Sequence, residues 1–219
     1  MDTKLNLNAN EIRVLGVLME KQMTTPEYYP MTPNALRNGC NQKSNRHPVV
    51  SFDEEAVRAT LDSLRSKQLV YIISTHGSRT RKYEHRLKET LHLSKDEMAA
   101  LCVLMLRGFQ TIGEIRGRTE RMTDFESLDA VEETVGELMR LDRQPMQLVK
   151  RLERMPGQKD NRYAHLLAGD ITEEQLAAQP VQTSGSSVSK NELIERVTEL
   201  ENQLKELRKE FSTFKQQFE

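Results

Sequence analysis

The chain has 219 residues, 37% of them apolar and 30% charged, a mix that predicts one or two soluble, helix-rich domains with hydrophobic cores. No apolar run approaches the ~20 residues a membrane span needs, and Met1-Asp2-Thr3-Lys4 opens without an export signal, so a cytoplasmic location and no membrane partner are expected. The formal net charge of −1 is uneven: residues 1–92 carry 14 Lys+Arg against 10 Asp+Glu, while residues 170–219 carry 6 against 10. The mildly basic first part suits nucleic-acid contact by one face but falls short of a strongly basic protein.

In chain order, Asn8-x-x-Glu11 predicts a capping box, a side-chain acceptor at the N-cap answered by a glutamate three residues on. It opens an amphipathic helix with Ile12, Leu15, Leu18 and Met19 on one face. A short second helix starts at Thr32, with Pro33 in its first turn, and a third carries Val57, Leu61 and Leu64. A strand (residues 69–74), a turn and a returning strand (residues 81–87) follow.

The same order then recurs. Leu15 and Leu18 match Leu101 and Leu104 at an offset of 86, and Val57 matches Val131 at 74. Arg81-Lys-Tyr-Glu-His85 matches Asn161-Arg-Tyr-Ala-His165 at 80. Ser94-x-x-Glu97 is the second capping box, and the second hairpin covers residues 147–152 and 161–167. The period is that of a duplicated domain rather than a solenoid. Three helices and a hairpin, twice over, predict tandem winged-helix modules at residues 1–90 and 91–170, mainly α with small β-hairpins (α+β), each holding its own core. Tyr83-x-His85-x-Leu87 and Tyr163-x-His165-x-Leu167 read as a shared packing position inherited by duplication.

Residues 171–189 read as a linker, rich in Ser and Gln with Pro180 and Gly185. Residues 190–219 follow, with Leu193, Val197, Leu200, Leu204, Leu207, Phe211, Phe214 and Phe218 spaced 4, 3, 4, 3, 4, 3, 4. That is a C-terminal coiled-coil seam, and a parallel homodimer would pair Arg196 with Glu201 and Glu210 with Lys215.

Cys40 and Cys102 have no CxxC spacing and read as buried structural thiols, and the five histidines show no metal-ligand spacing. No phosphate-binding loop, nucleophile elbow or HExxH occurs, so neither catalysis, metal nor cofactor is expected.

The segments 20–30, 40–48, 106–116 and 161–165 resemble the uncharacterised bacterial tandem winged-helix family that includes the enterobacterial YceH protein. The resemblance runs over essentially the whole chain. It implies the fold and carries no established binding residue, so function is argued from site chemistry.

Two readings stay open. A double-stranded DNA-binding transcriptional regulator would use the basic connectors between second and third helices and the wings. In the first module these are Arg37, Asn41, Gln42, Lys43, Asn45 and Arg46, then Arg79, Arg81 and Lys82; in the second they are Arg116, Arg118 and Arg121, then Lys159 and Arg162. Arg and Lys would contact phosphate, while Asn and Gln would read base edges. Against this, both third helices are acidic, with Glu54, Glu55 and Asp62 in one and Asp129, Glu132, Glu133 and Glu137 in the other. Those acids would repel phosphate. The alternative is a protein-interaction scaffold, such as a chromosome-organisation partner, docking its protein partner at the acidic third helices.

The unbroken apolar seam carries the first prediction. A chain truncated after Val188 is expected to be a folded monomer by light scattering while the full chain is a dimer; a truncated dimer would move the interface to the winged modules.

Overall fold

The computed structural model describes residues 5–73, 80–154, 158–172 and 176. Arg79, the linker beyond Thr172 apart from residue 176, and the seam from Leu193 to Phe218 lie outside the described residues.

Both capping boxes form. Asn8 accepts from the Glu11 amide at 3.0 Å and its own amide donates to Glu11 Oε2 at 2.8 Å, opening α1 (Ala9–Thr24). Ser94 and Glu97 repeat the pattern at the start of α5 (Lys95–Arg107). Each glutamate also holds a cation from beyond the third helix of its repeat. Glu11 accepts from Lys67 Nζ and Ser63 Oγ, both at 2.7 Å; Glu97 accepts from Arg143 Nη1 at 2.6 Å. Burial raises the Glu11 carboxyl, but Lys67, Ser63 and the Asn8 amide outweigh it and hold it below the usual carboxylate range. One residue type at one position thus starts the first helix and ties it to the third.

Thr32 caps α2 (Pro33–Cys40) and Asp53 caps α3 (Glu54–Ser66), which leads into β1 (Val70–Ile73) and β2 (Lys82–His85). A single-turn helix α4 (Leu87–Thr90) joins the copies. Then come α6 (Ile112–Thr119), α7 (Leu128–Met139), β3 (Val149–Arg151) and β4 (Tyr163–His165). Both hairpins are antiparallel, with Val70 opposite His85 and Val149 opposite His165. In each copy one further residue bridges to the returning strand, Met31 to Tyr83 and Gln110 to Tyr163. The result is a winged-helix-like α+β unit, present twice. The bridging residues and α4 were not apparent from the sequence, since neither a single bridging residue nor a four-residue helix has a period to read.

The Tyr-x-His-x-Leu motif packs. Tyr83, His85 and Leu87 are all buried; the His85 amide donates to the Tyr29 hydroxyl at 2.8 Å, and His85 Nδ1 accepts from the Leu87 amide at 3.2 Å. Burial lowers the His85 pKa to about 4, so this imidazole is neutral in the fold near neutral pH.

The two copies meet along α1 and α5. Residues 11–19 of α1 and 97–106 of α5 are buried without interruption, so each helix serves its own repeat on one side and the other repeat on the opposite side. Gly16 makes the close approach possible: a Cβ there would lie 2.8 Å from Leu106 Cδ2 and 3.0 Å from its Cγ. The Cys102 thiol donates to the Gly16 carbonyl at 3.4 Å, and the Leu7 amide to the Leu167 carbonyl at 2.8 Å, joining the entry of one repeat to the exit of the other. In place of the separate core expected for each module, the buried apolar residues of both repeats form one continuous cluster.

Leucine at position 16 must displace Leu106, so Gly16→Leu is expected to destabilise the chain by ~1–3 kcal/mol in urea denaturation. Gly136, on the exposed face of α7 with nothing within 4 Å of a built Cβ, is the control. Gly136→Ala is expected to stabilise by about 0.5–1 kcal/mol through helix propensity. Equal effects at the two glycines would contradict the close packing at the seam.

Candidate functional site

The α1–α5 contact brings the connector of the first repeat against the second. The Asn41 side chain clamps its connector, donating to the Phe52 carbonyl at 2.7 Å and accepting from the Phe52 amide at 2.8 Å. Further along, Arg13 Nη2 donates to the Pro48 carbonyl at 2.5 Å and the His47 amide to the Leu106 carbonyl at 2.8 Å. Asn45 sits at φ 60°, a left-handed conformation asparagine tolerates, and its Oδ1 accepts from Arg107. The connector therefore straps the end of α5 to repeat one.

Between the strap and repeat two lies a cleft of about 380 Å³. Lys21 from α1, Lys43 from the strap, Arg107 from α5, Arg118 from α6 and Arg121 from the second connector all line it. Glu20 is the one acid in that lining, and it is already engaged. Arg46 Nη1 and Nη2 grip its two carboxylate oxygens at 3.0 and 2.6 Å, and Lys21 lies 3.2 Å away. Burial pushes the Glu20 carboxyl up, but Arg46 outweighs it and the net pKa is lowered.

Arg46 itself is fully withdrawn. Besides Glu20 it donates to the carbonyls of Gly39 and Asn45 and to Gln42 Oε1, which engages all five of its N–H groups. This guanidinium has no donor left for an outside ligand. Arg107 is half-buried, and burial, then the neighbouring Arg118 and Arg46 cations, lower its pKa. Like charges are crowded there, the environment an anion relieves.

The residues expected from sequence to bind DNA thus separate into groups. Lys43, Arg118 and Arg121 converge on the cleft, with Arg118 also 3.3 Å from Glu114. Asn41, Gln42, Asn45 and Arg46 are occupied in building the strap. Arg162 is mostly shielded, donating to the Phe109 carbonyl at 2.9 Å and to Glu114 at 3.2 Å. Arg37 and Arg116 lie on the second helices, donating to Asn38 Oδ1 and the Glu126 carbonyl. Arg81 and Lys159 are exposed and Lys82 is half-buried; none of the three lines the cleft.

Lys21 and Arg107 were missed, since a cation in a helix's last turn has a complete explanation in the helix dipole. The repeat held a signal: the offset of 86 that aligns Leu15 with Leu101 also aligns Lys21 with Arg107.

The third helices present acid to solvent. Glu55 and Asp62 on α3, and Asp129, Glu132, Glu133 and Glu137 on α7, are exposed. Part of that charge is met on the helix itself, by Arg58–Glu54 at 2.6 Å and Arg65–Asp62 at 3.0 Å. What the molecule can do chemically with this distribution is hold an anion at the cleft, on residues other than those of the third helices.

Residues 7–158 match the family model described as "Protein of unknown function, DUF480". The chain is similar over nearly its full length to proteins named "UPF0502 protein". One from Solibacter usitatus is 48% identical over 213 residues, covering 97% of this chain and 98% of that one. One from Pelobacter propionicus is 49% identical over 219 residues, with the same coverage, and one from Geotalea uraniireducens is 48% identical over 225, covering 99% and 100%.

Occupied and available cations should behave differently on substitution. Arg46→Met leaves the half-buried Glu20 with only Lys21 beside it and is expected to cost about 1–3 kcal/mol in chemical denaturation. Arg121→Gln, at an exposed side chain, is expected to stay within about 0.5 kcal/mol of the parent. Similar values for the two would contradict this division.

Proposed function

We propose, for a chain that belongs to the DUF480 family of bacterial proteins of unknown function, that it binds double-stranded DNA by its phosphate backbone, in a regulatory role. The grip comes from the cleft rim and the connectors of both repeats. The observation that carries this reading is the convergence of Lys43, Arg107, Arg118 and Arg121 around one cleft whose single acid is neutralised from within. Duplex DNA carries one negative charge per ~1.7 Å of axis, and Lys and Arg supply the phosphate contacts that dominate affinity.

The mode differs from the usual winged-helix one. Acidic third helices make poor groove readers, and the Asn and Gln side chains of the first connector are committed to holding it in shape. Contacts confined to phosphate position a protein on DNA without reading sequence. We further propose that the C-terminal segment makes the chain a dimer, giving two such grips on one duplex. The exposed acids of α3 and α7 favour a second reading, a scaffold that docks a basic protein partner there.

Fluorescence anisotropy of a labelled duplex across a salt series tests the first reading. The triple reversal Lys43→Glu, Arg118→Glu, Arg121→Glu is expected to weaken binding to every sequence alike. It should also flatten the log–log salt dependence by about 0.9 per lost phosphate contact. Glu54→Gln with Glu55→Gln is expected to leave affinity unchanged or raise it. A triple variant that binds like the parent at low and high salt would overturn the DNA reading. Loss of a protein partner on the Glu54/Glu55 change alone would favour the scaffold.

A further inference from the structure

Buried charge adjoins the cleft as well as the cations that line it, since Arg46 bonds to the lining residues Glu20, Gln42 and Asn45. Arg46, with no solvent-exposed side chain, and Arg13, 4% exposed, are close enough to repel each other, and the acid beside them, Glu20, is held by Arg46. Arg13 Nη2 donates to the strap at Pro48, and Arg13 Nη1 has no partner among the described residues. Two buried guanidiniums against one carboxylate leave positive charge inside the protein, where water and salt screen it far less than at the surface. Lys21, Lys43, Arg107 and Arg118 line the cleft itself. Holding these charges together costs stability unless an anion sits among them.

Size narrows what that anion is. About 380 Å³ lies at the small end of the clefts of roughly 300–1,000 Å³ that take small molecules. A duplex lies across such a mouth without entering it, whereas a pair of linked phosphates fits inside. Because the lining comes from both repeats, an occupant would also bridge the strap to repeat two.

Resting on the reading that these cations contact DNA, we infer that the cleft binds a compact phosphate-bearing small molecule with two or more negative charges, which competes with duplex DNA for Lys43, Arg118 and Arg121. The ligand is thereby an effector: filling the cleft neutralises the cations the duplex needs. Free and backbone phosphates share one chemistry, so the test separates them by source.

Isothermal titration of the full chain with inorganic pyrophosphate, against sodium chloride of matched ionic strength, is the direct experiment. Saturable binding at one site per chain is expected. It should weaken at least tenfold in Lys43→Gln with Arg121→Gln, two exposed side chains without an ion pair among the described residues, in a variant whose fold circular dichroism verifies. Arg81→Gln with Lys82→Gln, outside the cleft, should bind pyrophosphate like the parent. In the second arm pyrophosphate is expected to release a labelled duplex at concentrations where matched chloride does not. No saturable binding beyond the chloride control, or binding undiminished in the Lys43/Arg121 variant, would overturn the site. Pyrophosphate binding that the variant loses, in a parent that fails to hold duplex at all, would uphold the site and contradict the DNA reading. Duplex held but not displaced would overturn the competition.

Discussion

Where α1 crosses α5, Gly16 leaves the space that Leu106 fills, and the rest of the architecture depends on that contact. Without it the two helices would each expose an apolar face, because neither is amphipathic over its buried length. With it, one core serves both repeats and the strap of residues 42–48 can reach the end of α5. The cleft has no existence within a single repeat. Duplication thus supplied more than a second copy: it created a concave surface between copies, and the cations bordering it come from both.

Electrostatics divides the basic residues by what they already hold. Arg46 and Arg143 each close on a buried or half-buried glutamate, and Lys67 does the same for Glu11. Buried pairs of this kind are costly to break on one side only, so these cations are structural. Lys43 and Arg121 are different, since nothing among the described residues neutralises them. A chain with a net charge near zero can therefore still present a concentrated positive site, because Arg46 holds the one acid in the cleft lining.

Much of the fold was legible in the sequence because local chemistry writes it there. Asn8–Glu11 and Ser94–Glu97 declare two helix starts, and the Tyr-x-His-x-Leu recurrence declares two returning strands. The shared core was not legible, although the residues were in view. Leu101 and Leu104 mark one face of α5 and Cys102 reads as a buried thiol, but only packing reveals that Val103 and Leu106 are buried as well. The site was half legible. Lys43, Arg118 and Arg121 stand out as polar connector residues, but Arg46 has the same sequence context and is fully buried, because Glu20 lies 26 positions away and composition carries no record of that pairing. Asn45 and Gln42 looked like base readers for the same reason.

The central claim is that the connectors of both repeats, and not the third helices, meet DNA phosphate. Amide hydrogen exchange of the full chain with and without a saturating duplex at low salt tests it most directly. The account predicts slowed exchange in residues 42–47 and 116–122 together, with α3 from Glu54 to Ser66 and α7 from Leu128 to Met139 unchanged. Slowing confined to α3 and α7, or no slowing anywhere, would contradict it.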